Sequence, residues 1–463
     1  MAFFRPHILC LLMVQCGAVL VGPAMLSAQS VAAPEELLKA LPERSLPELE
    51  TILKTSLENG PSILIRRWEA EQSRENARAA RAPMLPSVYA SVNGGVILEQ
   101  RATEGTQDEP DRVVAAALYN FGISQPLFHW GALSKGYEVG KLYRAISARN
   151  VEETRRLLAI DLRRRYFDLV LAHGSVRLEQ KNIAELEAEL ELAKKRVADG
   201  FAASTESGTV ESKLIVARIS LQRLTNDYDL LRRNFARLTG LPIARLPESV
   251  AELPAVPELD KVIKALSGDT GGVPSVRLLN SQDTVKAERL NYEINRTRLK
   301  PKFGLSFSVG QDNRNADNDQ LKQKVLITSW NAFATMNWTL FDGFSANAAQ
   351  RASLARLRAE ETNRSQIEQQ DSDERRADVA KLQYAWRLLQ EAEKNLSGAR
   401  GAVTALEKDV AAGWAPRSTV DDAKRSLDLT IQSTNASRAE FYTALATYFS
   451  NRGIDPALHL GVE

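Results

Sequence analysis

Few residues in this chain have the types needed for bond-making chemistry, and their spacing is wrong for it. Asp269-Thr270-Gly271 matches the triplet of the aspartic proteases, but it occurs once, in a Gly-rich connection, where a turn accounts for it. That chemistry needs two carboxylates sharing a proton. His7, His129, His173 and His459 are scattered without metal-ligand spacing, and Cys10 and Cys16 both fall in the N-terminal apolar run. With no Met cluster and no phosphate loop, the chain offers no transition-metal path and no energy source of its own. No catalytic residue, metal or cofactor is therefore expected. The acids that do gather are Glu206 and Glu211 shortly after Gly200, and Asp421 and Asp422 shortly after Gly413. Near helix N-termini such carboxylates complement the helix dipole, which is electrostatic work.

The elements that must position these acids are written twice. Leu127-Phe128 recurs as Leu340-Phe341, Lys181-Asn182 as Lys394-Asn395, Val197-Ala198 as Val410-Ala411 and Gly240 as Gly453, always 213 residues on. A register held over more than a hundred residues is the mark of an internal duplication. In the first copy Leu162, Leu169, Val176, Ile183, Leu190 and Val197 fall at seven-residue steps, answered by Leu382, Leu389, Leu396, Val403 and Val410. A return helix follows, with Val210, Leu214, Ala217, Leu221, Leu224, Tyr228, Leu231, Phe235 and Leu238 alternating steps of four and three. This is the seam of long helices packed nearly parallel. Gly200 and Gly413 end the first arms, Pro416 cannot continue one, and Ser418 with Asp421 predicts a cap on the second return helix. Hairpin arms of about 60 and 40 residues follow, the longer reaching on the order of 90 Å.

Before each hairpin the periodicity changes to two. Phe303, Leu305, Phe307 and Val309 alternate with Gly304, Ser306, Ser308 and Gly310, and Ala332, Ala334, Met336, Trp338 and Leu340 with more polar neighbours. The first copy supplies Val88, Ala90 and Val92, then Val113, Ala115, Ala117, Tyr119, Phe121 and Ile123. One such strand alone fits a soluble sandwich. Four, joined by polar loops near 99–111 and 311–327, with Tyr119, Trp130, Trp330, Trp338 and Phe341 near strand ends as an aromatic girdle, favour the outer-membrane pattern. Arg5, the apolar run from Ile8 to Leu26 and the small residues around 28–33 read as a secretory signal peptide. Lipidation at Cys16 is disfavoured because Gln15 stands where a small residue is wanted. No other stretch approaches ~18 uninterrupted apolar residues, so no membrane helix is expected. The net charge is +2, from 60 basic and 58 acidic residues. The arginines at 155–156 and 163–165 read as a solvated helix flank, and no nucleic-acid partner is expected.

The predicted organisation is a signal peptide over 1–30, a first repeat over 34–240, a Pro/Gly-rich linker over 241–272, a second repeat over 273–453 and a tail over 454–463. Strands are placed at about 86–98, 112–127, 302–311 and 329–341, and hairpins at about 133–239 and 345–451. An open four-stranded sheet cannot persist in lipid, so the chain must oligomerise. Two copies would give a barrel filled by its own side chains and three a barrel with a lumen.

The order helix, strand, strand, long helix, turn, long helix, given twice, resembles the TolC-like outer-membrane efflux proteins. Ser124-Gln-Pro-Leu-Phe128, Trp338-Thr-Leu-Phe-Asp-Gly343, Pro86-Ser-Val, Pro301-Lys-Phe and the tip glycines carry the resemblance over about residues 40–455. It implies a mixed α+β membrane protein: a homotrimer with a twelve-stranded β-barrel in Gram-negative outer-membrane lipid and a periplasmic α-helical barrel. The implied function is a passive exit duct of a tripartite efflux or type I secretion system, docked on a periplasmic adaptor and an inner-membrane pump of RND, ABC or MFS type. In that family acids six and nine residues past the tip glycine ring the closed aperture. Asp422, Asp421 and Glu206 are the aperture candidates: Asp422 fits the later position in the second copy, where Thr419 holds the earlier one, Glu206 fits the earlier position in the first, and Asp421, next to Asp422, is the one the predicted cap accounts for best. Phe201 and Trp414, just past Gly200 and Gly413, are candidate adaptor contacts or hairpin-packing aromatics. The alternative is an exported coiled-coil scaffold of the envelope without a pore, which has no need of the strands.

Overall fold

The computed structural model describes residues 35–99, 112–201, 203–243, 252–266, 273–318 and 321–459. The expected signal peptide, the loop between the first two strands and the Asp269 triplet lie outside them. Each repeat contributes two strands, β1 (Ser87–Glu99) and β2 (Arg112–Phe128), then β3 (Lys302–Asn318) and β4 (Leu321–Asn337). They form one antiparallel sheet in the order β1-β2-β3-β4, so the two repeats are joined through β2 and β3 and, among the described residues, the outer edges of β1 and β4 are unpaired.

The β3–β4 hairpin corrects the loop placed at 311–327. Asp312, Asn313 and Arg314 stay in the ladder, opposite Ile327, Leu326 and Val325. Polarity argues that these residues leave hydrocarbon; it does not stop their backbones from pairing. One face of the sheet is apolar and outward, with Val92 at 68%, Val96 at 74% and Trp330 at 71% exposure, in line with Phe121, Leu305 and Phe307. On the other face Val114 and Ala116 are buried and Ser306 and Ser308 are half-covered, so the sheet curls toward its small and polar side.

The long helices α4 (Ala132–Ala198) and α8 (Ser345–Ala411) have 67 residues each. They pair with the return helices α5 (Ser204–Thr239) and α9 (Arg417–Asn451) toward the tips, and with α3 (Pro61–Arg81) and α7 (Val276–Arg296) toward the sheet. Gly240, at the end of α5, abuts Pro61 at the start of α3. The result is a wall one helix thick, in the order α3/α5, α4, α7/α9, α8, hanging from the sheet. Its interior seams are the heptad positions: Leu162, Leu169, Val176, Leu190, Leu382, Leu389, Leu396 and Val403 are all buried.

A belt crosses one face of this wall. It is built from α1 (Glu35–Lys39), α2 (Pro47–Asn59), α6 (Asp260–Ala265) in the inter-repeat linker, and the turn at Pro456–His459. Leu37, Leu49, Leu53, Leu57, Leu253 and Ile263 are buried there against Leu158, Phe167, Trp386 and Phe441. The segment read as a C-terminal tail is thus part of the core. So is Arg163, which corrects the solvated-flank reading: its guanidinium is fully buried and donates to both carboxylate oxygens of Asp455 at 2.6 and 2.8 Å and to Glu43. Arg155 is buried as well. A buried cation needs partners, and these lie too far along the chain for local charge pattern to reveal them.

Candidate functional site

Strand passes to helix through two successive left-handed residues in both repeats, Trp130 (φ 57°) with Gly131 (φ 77°), and Gly343 (φ 63°) with Phe344 (φ 67°). Each copy places glycine at only one of the two positions and an aromatic at the other. A non-glycine residue there is strained by about 1–3 kcal/mol, so neighbours must hold it. Trp130 donates from Nε1 to Pro301 O at 2.7 Å, stands 5.0 Å from Phe128 and carries Lys300 over its ring; Phe344 packs edge-on against Phe341 at 5.4 Å. Trp338 donates to Leu299 O at 3.0 Å. Trp130, Trp338 and Phe341 therefore form a rim where sheet meets helices. Tyr119 and Trp330 do not lie near strand ends: they sit in the middle of 17-residue strands on the outward apolar face. The strands run farther than their apolar stretches, so the second aromatic row falls part-way along them. Trp338 follows Trp330 by eight residues, about 26 Å along a strand at ~3.3 Å per residue, which a barrel tilt of ~35–45° reduces to roughly 20 Å of height, within the ~25 Å of an outer-membrane apolar band.

At the opposite end Gly200 (φ 79°) and Gly413 (φ 77°) close the first arms. Phe201 N and Trp414 N reach back to Arg196 O and Asp409 O, each at 2.8 Å, satisfying carbonyls the helix ends would leave free. Phe201 (80% exposed) and Trp414 (83%) stand in solvent, not in the hairpin seam. The cap predicted at Ser418 is displaced: α9 begins at Arg417 with Pro416 as its capping residue and no side-chain cap bond, and Thr419 Oγ1 donates to Pro416 O at 2.6 Å. Proline's fixed φ pre-sets the helix start two residues early. Asp421 is accordingly exposed on the second turn, outside any cap. Asp422 lies 3.5 Å from Arg425, and Glu206 3.0 Å from Arg196.

Sequence reading missed the lacing between the two hairpins. Arg425 also donates to Glu185 of α4 at 2.8 Å, Lys181 of α4 pairs with Asp428 of α9, and Gln432 Nε2 donates to Leu171 O and Ser175 Oγ at 2.7 and 3.1 Å. Arg425 thus couples the gate candidate Asp422 to the neighbouring hairpin. The charge partners are invisible without the α4–α9 register. One signal was available in Gly174: glycine inside a helix costs about 1 kcal/mol, and a Cβ there would collide with Gln432 Oε1.

Among the described residues no group of His, Cys, Asp and Glu could hold a metal, and no helix is long and apolar enough to cross a membrane. The chain matches the model of the outer membrane efflux protein family over residues 52–241 and 275–448, a stretch of each repeat. It is 23% identical over 280 residues to the pyoverdine export outer membrane protein OpmQ of Pseudomonas putida, covering 57% of this chain and 56% of that relative. To OpmQ of Pseudomonas aeruginosa it is 25% identical over 331 residues, covering 66% of this chain and 67% of the relative. The chain so aligns with little more than half the length of the first of these. Its fold resembles that of the Campylobacter jejuni CmeC outer membrane channel, with a TM-score of 0.72 at 12% identity over 88% of this chain and 86% of that one. Duplicated strand pairs, hairpins of matched length and a family match spanning both copies lead to one conclusion: this chain belongs to the outer membrane efflux protein family.

Proposed function

We propose that three copies close into a twelve-stranded barrel continued by a helical tunnel, and that this assembly is the outer-membrane exit duct for substrate delivered by an inner-membrane pump through a periplasmic adaptor. The observation carrying the proposal is that strand layer and helix layer are open on the same two sides. β1 and α3/α5 form one edge, β4 and α8 the other. Unpaired strand backbone in hydrocarbon costs several kcal/mol per group, and a head-to-tail contact that joins unlike edges closes a ring. The α3/α5 edge leaves Ile65, Trp68, Ile215, Val216 and Ile219 exposed for the next copy to cover. Two copies would pack eight strands solid, whereas three leave a lumen. The outward apolar face then meets lipid and the small, polar face lines the pore. The sequence carries no phosphate loop, and passive conduction is part of this proposal. Phe201 and Trp414, beside Gly200 and Gly413, are the tip contacts offered to the adaptor; the pump is of RND, ABC or MFS type. The relatives named for pyoverdine export make a small exported metabolite the first cargo to try.

In this reading Asp422, with Glu206, narrows the tip end, Asp421, exposed on the second turn and outside any cap, takes no part, and the α4–α9 lacing keeps the two hairpins together until an adaptor splays them. Each exposed pair is worth no more than about 1 kcal/mol, so the closure is weak, screened by salt and easily released. In planar bilayers the purified protein should form a nearly closed, cation-preferring channel. Asp422→Asn should weaken cation block or raise the closed-state conductance, and Lys181→Glu with Arg425→Glu, which sets like charges against Asp428 and Glu185, should raise it several-fold. Asp421→Asn should leave it unchanged. Wild-type conductance in both the Asp422 and the Lys181/Arg425 variants would remove the gate from these residues.

A further inference from the structure

At the height of the belt the wall has a covered face and a bare one. Arg438, Asn435 and Tyr442 of α9 hold the linker on the covered face, through Leu253 O, Leu253 N and Pro254 O at 2.6, 3.1 and 3.1 Å. On the other side of α9 Thr443, Ala444 and Thr447 are half-buried and Glu440 is exposed, and there α4 and α8 flank a groove of about 460 Å3 with α9 as its floor. In a closed ring whose belt lies outside, this groove faces the lumen.

The floor is made of small side chains: Ala439, Thr443, Ala444 and Thr447. The duplication supplies an internal comparison, because the matching positions of α5 are Asn226, Leu230, Leu231 and Asn234. Asn226, Leu230 and Leu231 are larger than their counterparts and Asn234 is about equal to Thr447, so the depression is a departure of the second copy from the first. The walls carry charges of both signs. Asp168 on α4 and Lys381 on α8 are related by the repeat offset of 213 and stand at the same height on helices running the same way. Arg164 and Asp378 occupy the next turn, in the opposite order. Among the described residues no ion pair spans the groove, and Asp378 instead accepts from Asn451. Burial pushes both the Asp168 and the Asp378 carboxyls up, against the pull of their basic neighbours. Tyr384, 56% exposed, and Glu440 line the groove at the end nearer the tips.

We propose that this groove is a dwelling site in the duct wall for small zwitterionic molecules carrying an aromatic group, of about dipeptide size. The proposal rests on the duct reading for its role, but the groove itself is built within one chain. A simple cation would face Arg164 and Lys381, and a simple anion Asp168 and Glu440; a zwitterion satisfies both walls while its ring stacks on Tyr384. The volume lies within the range of small-molecule sites. Binding must be weak, since a conducting wall has to release what it holds.

The test uses the full chain in detergent and ligand-observed saturation-transfer NMR with tyrosyl-tyrosine as probe, compared with its N-acetylated and C-amidated forms. The free dipeptide should show the strongest saturation, on its ring protons. Thr443→Leu, which installs the first copy's residue, and Asp168→Asn with Lys381→Gln should each weaken it about tenfold, the scale of one lost charged contact. Equal binding of the three forms, or wild-type binding in both variants, overturns the proposal. Particle mass and channel conductance are read on the same preparations, so failure of the duct reading shows there and failure of the groove in the spectra.

Discussion

Arg163→Met is expected to destabilise the belt by about 3–5 kcal/mol, the cost of breaking a buried pair by removing one partner. The variant leaves Asp455 fully buried, with Ser450 Oγ at 2.5 Å and Ala457 N at 3.0 Å as the remaining donors to its carboxylate among the described residues, and strands Glu43 beside it. Arg163→Met combined with Asp455→Asn should recover part of the loss, because the orphaned charge goes with its partner. The loss should be largest in the belt, seen as early protease cleavage near α2 and α6 and a lower urea midpoint. The pH dependence has a definite sign. Burial pushes the Asp455 carboxyl up, but the hydrogen bonds and charge of Arg163 pull it below its ordinary value. Its contribution is therefore present above about pH 3.9, the unfolded carboxylate value, and is lost as pH falls through the lower folded value. A belt equally stable in wild type and Arg163→Met would mean that the triad contributes nothing.

Why this triad escaped sequence reading, while the duplication did not, is a matter of distance along the chain. Arg163 meets Glu43 and Asp455 across 120 and 292 residues, and a run of arginines beside a heptad seam looks like a solvated flank until those partners arrive. The seam residues carry their own period, so the burial of Leu162, Leu169, Leu382 and Leu389 follows from spacing alone. The tip glycines were legible for the same local reason, since only their φ is at issue. Ser418 was misread because two capping signals overlap within three residues, and Pro416 prevails. The β3–β4 extension was hidden because composition reports where a strand leaves hydrocarbon and is silent on where its ladder ends. The lacing around Arg425 needed the α4–α9 register, which no single helix encodes.

Phe307→Arg is the second large effect. Phe307 stands on the outward face, opposite Ile123 and Ala332 and 6.2 Å from the Trp330 ring, five residues above the start of β3. That places it inside the apolar band, two residues from the Trp330 row, between the midplane, where arginine facing lipid costs about 2–4 kcal/mol, and the interface, where the cost falls to about 0–1 kcal/mol. Ser306→Arg, one residue away, points to the opposite face, opposite Ser124 and Phe333, and should assemble normally with altered ion selectivity. Equal yields of membrane-inserted protein for the two variants would reverse or abolish the assignment of faces.

The central claim is that three copies of an open four-stranded wall close one pore. Its most direct test is the mass of the outer-membrane particle, measured by mass photometry or native mass spectrometry in detergent, with one chain weighing 51.2 kDa before any processing. A single species of three protomers is the predicted result. A monodisperse monomer or dimer extracted from the outer membrane would contradict it.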